Sequence, residues 1–161
     1  MVSFLVNKSE SVFKKIPESI ILFIARFAIA AVFWKSGQTK IEGFSLDIIA
    51  MKMQLGWPHL TESAVFLFEY EYNLPLLPPA IAAILAALAE HFLPILILTG
   101  LFTRLAAFAL ACMTLVIQIF VYPDAYPTHA TWLAIAMLLM YKGAGNLSLD
   151  HLFFRKHSNS L

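Results

Sequence analysis

One cysteine, few charges and no surplus of either sign set the first limits on this chain. Cys112 stands alone among 161 residues, so no internal disulfide can form. No C-x-x-C pair is present for thiol exchange, which excludes a self-contained thiol-oxidising enzyme. Set among Ala111, Met113 and Leu115, Cys112 reads as a small apolar packing residue. Charged residues make up only 13% of the sequence, where a soluble domain carries roughly 25%. A net charge of +1 offers no electrostatic footprint for nucleic acid. Iron–sulfur and flavin signatures are missing, and His91 and His129 fall at different expected depths, which argues against a bis-histidine haem. Internal repeats, low-complexity stretches and a flexible linker are also lacking, so residues 1–161 read as a single membrane domain.

What the chain does have is apolar length. It is 60% hydrophobic, with a mean hydropathy of +0.78. Apolar runs cover approximately 19–37, 79–101, 105–122 and 128–142. A spanning helix needs roughly 20 mostly apolar residues. The first three runs meet that length, and Thr128 and Lys142 extend the fourth into the headgroup zones. The expected fold is all-α: an integral membrane four-helix bundle in contact with the lipid bilayer. Lys8, Lys14 and Lys15 resemble the start of a signal peptide. Arg26 inside the apolar run and the run's length favour a retained anchor instead.

Loop charges give an orientation. With four alternating spans, Lys8, Lys14, Lys15, Arg104, Lys142, Arg155 and Lys156 fall on one side. The positive-inside rule makes that side, with both termini, cytoplasmic. The long segment from Gln38 to Pro78 is then extracytoplasmic. Within it, Thr61-Glu62-Ser63 opens a helix that Asn73 and Pro75 stop. Phe66, Leu67 and Tyr70 share one face, as in a short interfacial helix. Trp57, Trp132, Tyr70, Tyr72, Tyr122 and Tyr126 form an aromatic belt at the same surface.

Charges inside apolar runs mark where function is to be sought. Arg26 and Glu90 lie roughly 10 and 15 Å from the cytoplasmic ends of their spans, at the rise of about 1.5 Å per residue. An unpaired charge at mid-membrane costs about 2.5–3.5 kcal/mol, so an Arg26–Glu90 pair facing the bundle interior is expected. His91 sits about 100° around the helix from Glu90 and adds a proton-handling group. Pro94 frees the Glu90 carbonyl from its helical partner. Arg26, Glu90 and His91 are therefore the candidate catalytic residues. Lys35, Gln38, Gln118, Asp124 and His129 are the candidate ligand-binding lining toward the outer side. Met51, Met53 and His59 in the loop suit Cu(I) by ligand type, but they read first as interface-facing side chains and no metal site is assigned.

These residues carry a family resemblance. Arg26, the run Phe33-Trp34-Lys35-Ser36-Gly37-x-x-Lys40, Glu90, Gly100-Leu101-Phe102-Thr103-Arg104-Leu105-Ala106-Ala107 and Gly145-Asn146-Leu147-Ser148-Leu149-Asp150 together resemble the DoxX family. That resemblance implies a four-helix bacterial inner-membrane protein. The family takes its name from a membrane subunit of a thiosulfate:quinone oxidoreductase, and other members are linked to oxidative, thiol or quinone stress. The segment Phe68-Glu69-Tyr70-Glu71-Tyr72-Asn73-Leu74-Pro75 resembles a subset encoded beside copper-sequestering peptides. Three readings stand open. The first is a redox-system subunit that holds a quinone and relays protons through Glu90 and His91, with electrons supplied by a partner or soluble substrate. The second is a non-catalytic assembly or ligand-binding protein with a protein partner or a homo-oligomer. The third is a copper-linked membrane protein.

Overall fold

The computed structural model describes residues 10, 12–47 and 51–154. Lys8, Arg155 and Lys156, used above for orientation, lie outside the described residues. Four long helices organise the rest: α1 (Glu18–Gln38), α3 (Pro79–Thr99), α4 (Thr103–Val116) and α5 (Tyr126–Lys142). Between α1 and α3 come strands β1 (Ile41–Asp47) and β2 (Lys52–Leu60), then a short helix α2 (Glu62–Phe66). A final helix, α6, covers Leu149–Phe154.

Helix ends follow local chemistry. Pro79 occupies the first turn of α3, where its missing N–H costs nothing. Gly100 ends α3 in the left-handed conformation at φ 72°, which spares a side chain the steric cost. The Thr61 hydroxyl accepts from the Ala64 N–H and caps α2. Helix α2 runs on through a π-helical turn at Leu67–Tyr72 and stops at Asn73, φ 37°. Helix α4 likewise ends in a π-helical turn, Ile117–Val121.

Among the described residues, three helices are long and apolar enough to cross a membrane: Glu18–Gln38, Pro79–Thr99 and Thr103–Val121. Helix α5, with 17 residues, falls short of that length. Helix α1 packs most extensively on α3 and α4 on α5, while α3–α4 and α1–α5 contacts close the ring. The core is small and tight: Leu22, Ala25, Ile29, Ala30, Phe33, Ile97, Ala106, Ala107, Leu110 and Leu139. Alanines at these contacts let the helix backbones approach closely, as in lipid-embedded bundles. The outward faces are apolar instead, with Phe23, Ile24, Phe27, Phe92, Phe108 and Phe120 all exposed. Bulky apolar residues on the outside suit a hydrocarbon solvent. Cys112 joins the outward set, so it is not the packing residue expected from its neighbours.

The all-α expectation fails in one place. Strands β1 and β2 pair as an antiparallel hairpin, Phe44 with Leu55 and Leu46 with Met53, with a register shift between Glu42 and Phe44. Helix α2 begins and ends where Thr61 and Asn73 place it, with Phe66 and Tyr70 exposed and stacked at 4.5 Å. Its Ala64 and Phe68 are buried, and Phe68 packs with Ala82 and Ala83 of α3.

Candidate functional site: two buried cations at opposite ends of one helix pair

Arg26 and Glu90 do not pair. Both are buried, at 1% and 3% exposure, but their side chains diverge. The Cα–Cβ bonds of a helix tilt toward its N-terminus. Helices α1 and α3 run antiparallel, so this lean carries Arg26 toward the start of α1 and Glu90 toward its end. We refer to these as the basal and distal ends.

At the basal end the Arg26 guanidinium donates to the Leu98 carbonyl at 3.0 Å and to the Leu147 carbonyl. These acceptors lie on the last turn of α3 and on the segment after α5. The carboxylate of Asp150 accepts from the Phe102 N–H at 2.8 Å and the Thr103 N–H at 3.0 Å, capping the start of α4. The Asp150 N–H donates to the Gly100 carbonyl at 2.8 Å. The charge of Asp150 also acts on Arg26. Arg26 therefore anchors a chain closure made of backbone carbonyls, where a carboxylate partner was expected.

At the distal end Glu90 has a different cation. Lys40 Nζ sits 2.6 Å from Glu90 Oε2, with both side chains about 5% exposed or less. Ser36 bridges them, donating to Glu90 Oε1 at 3.1 Å and accepting from Lys40 Nζ at 3.1 Å. Ser36 and Lys40 lie four residues apart, one turn along the same face. In the sequence Lys40 stands out only as a position of the family motif. The signals that single it out were that spacing and the need of Glu90 for a partner.

His91 lies beside this pair in a fully directed network. The Leu46 N–H donates to Gln38 Oε1 at 2.7 Å, which fixes the amide orientation. Gln38 Nε2 then donates to His91 Nε2 at 2.8 Å, and His91 Nδ1 donates to the Ala87 carbonyl at 2.6 Å. These partners match the tautomer that carries its proton on Nδ1. Trp34 packs edge-on against it at 5.1 Å and donates to the Leu46 carbonyl at 3.2 Å. Glu90 and His91 straddle Gly37: a Cβ there would stand 2.8 Å from His91 Cε1 and 3.0 Å from Glu90 Cβ. No side chain fits, and the two helices touch at that level.

The expected outer lining divides. Gln38 belongs to the His91 network. Lys35 is exposed, because its neighbours Ser36 and Gly37 hold the inward face. Gln118 and His129 meet elsewhere, with His129 Nδ1 donating to Gln118 Oε1 at 2.6 Å and Gln118 Nε2 to the Pro123 carbonyl at 2.7 Å. His129 is buried against Trp132, whereas Asp124 in the turn before α5 is exposed. Above the pair, the Tyr122 hydroxyl donates to Glu71, and Tyr72 and Tyr122 pack edge to face at 5.7 Å. Burial pushes both phenols above their ordinary range, with Glu90 adding to the effect on Tyr72 and the Glu71 hydrogen bond to that on Tyr122.

The motif residues thus gather into two sets, one around Arg26 and one around Glu90. A DoxX family model matches residues 21–123, well over half of the chain. The chain belongs to the DoxX family. No curated protein and no solved structure matches it. As a DoxX member it is a membrane protein, and its outward apolar faces meet the lipid bilayer. The match includes Arg26, Ser36, Gly37, Lys40, Glu90, His91 and Gly100, while Leu147 and Asp150 lie beyond it.

Proposed function

We propose that this DoxX protein is a multi-pass subunit of a redox or stress-response system in the bacterial inner membrane, with both termini cytoplasmic. Its proton-handling group is the Lys40–Glu90 pair. The observation that carries the reading is this ion pair, sealed from solvent inside a membrane bundle. Ionisable residues within membrane segments are costly and concentrate at ion and proton pathways. A proton arriving on Glu90 would leave the Lys40 ammonium without its carboxylate, so uptake there would be coupled to transfer of a proton from Lys40 to a basic group of the partner or substrate. Ser36 holds both partners in line for that exchange, and the Gln38–His91 network keeps the adjoining turn of α3 in register.

A quinone has suitable donor types here, in Lys40, Ser36 and Trp34. As packed, those donors are engaged with neighbours, and the Gly37–His91 contact leaves no slot for a ring at that level. The arrangement does not fit a quinone between α1 and α3, so we assign electron transfer to a partner. The copper reading gains no support from the hairpin. Met53 and His59 are six residues apart on β2, about 20 Å at the strand rise, and His59 pairs with Glu42 at 3.2 Å.

The tight Gly37 contact favours a second reading, in which the pair only fixes helix register in an assembly protein. Substituting both partners together, Lys40→Met with Glu90→Met, separates the two. Replacing a buried pair by apolar residues of similar volume is often neutral for folding. If the double variant reaches normal abundance in the membrane but fails to restore stress-resistant growth to a strain lacking the protein, proton handling is supported. Full restoration of growth would establish the structural role.

A further inference from the structure

We infer that the β1–β2 hairpin is a lipid-docking element, lying on the bilayer surface with one apolar face in the headgroup–acyl boundary. The hairpin starts three residues beyond the end of α1, a membrane-capable helix. It does not stand away from the bundle. Leu46, five residues along β1, is still held by Gln38 and Trp34 of the last turns of α1 through its N–H and its carbonyl. At about 3.3 Å per residue, an outward strand would have carried Leu46 beyond their reach. β1 therefore runs across the end of α1.

Side-chain alternation decides which face meets the lipid. Pairing of Phe44 with Leu55 and of Leu46 with Met53 puts four apolar side chains on one face of the ladder. Ser45, Gln54, Asp47 and Lys52 take the other. Met53 and Leu55 are 65% and 73% exposed, and Met51 at the turn and Trp57 beyond the register shift reach 92% and 88%. In water such a stripe would be an aggregation hazard. At a membrane surface it is a binding face, and an exposed tryptophan is enriched at that depth. Lipid is the occupant we commit to, because the stripe adjoins the end of α1, a helix long and apolar enough to cross the bilayer.

The test uses the full chain in vesicles of phosphatidylcholine and phosphatidylglycerol. With Cys112→Ser as background, nitroxide labels are placed singly at Met53→Cys, Leu55→Cys and Gln54→Cys. The expected result is accessibility to oxygen over a water-soluble nickel chelate severalfold higher at 53 and 55 than at 54. In parallel, the emission lost on Trp57→Phe should be quenched in vesicles made with lipids brominated near the headgroup end of the acyl chain. Equal nickel access at all three positions, or no bromine quenching of Trp57, would overturn the inference. So would strong spin–spin broadening at 55 in dilute reconstitutions, which would assign the face to a second copy.

Discussion

Glu90 illustrates how far single residues could be read. Its need for a cation was legible, because an isolated charge in a membrane segment is expensive. Which cation answers it was not, since similar depth says nothing about side-chain lean in antiparallel helices. Removing one partner of a buried pair typically costs about 3–5 kcal/mol. Glu90→Gln should therefore lower resistance to thermal unfolding in detergent by that order, and Lys40→Met should do the same. The double variant should lose clearly less than the sum. Additive losses would mean that the two side chains are not coupled. Gly37 makes a separate prediction. Gly37→Ala should cost about 1–3 kcal/mol by overpacking, and His91→Ala should recover much of that loss in the same unfolding assay.

Elements were legible where hydropathy and punctuation agreed. The apolar runs near 19–37 and 79–101 correspond to Glu18–Gln38 and Pro79–Thr99, and Thr61 and Asn73 bound α2 and its π-helical turn as expected. The hairpin was hidden because Gly43, Gly56 and Pro58 interrupt its alternation and the register shifts after Glu42. Helix α4 depends on a cap from far along the chain, which no local pattern announces. Asp150→Ala should destabilise the basal end by about 1–2 kcal/mol, the range for losing a charged N-terminal cap. Faster amide exchange confined to the start of α4 would report it. The tyrosines above the pair allow a pH prediction. Their phenols titrate above the ordinary value of about 10, so folding is favoured while they stay neutral. That contribution is complete below pH 10 and fades as pH rises through the elevated values. Ultraviolet titration of the folded protein should show a late phenolate fraction that Tyr72→Phe and Tyr122→Phe remove.

For the whole molecule, a helical membrane protein was evident from composition and apolar runs, whereas the division of its polar residues into two end sites was not. Sequence distance conceals which charges share an end of a helix pair. The described basic residues Lys14, Arg104 and Lys142 lie at or beside the basal ends of α1, α4 and α5. The orientation proposed above predicts that, on a Cys112→Ser background, Lys14→Cys reacts with an impermeant thiol reagent only after cells are opened. Gln54→Cys should react in intact cells with a permeabilised outer membrane. The reverse pattern would invert the topology.

The Arg26 clamp also has a consequence for biosynthesis. Its acceptor on Leu147 follows it by 121 residues. During synthesis Arg26 enters the membrane with the first span, long before that carbonyl exists. Until then the young chain carries an incompletely solvated guanidinium in a lipid environment. The ribosome must deliver the segment after α5 before the bundle can lock. A chain stopped short of Leu147 would present quality-control proteases with an unanchored α1, so a few residues beyond α5 decide the fate of a helix made 121 residues earlier.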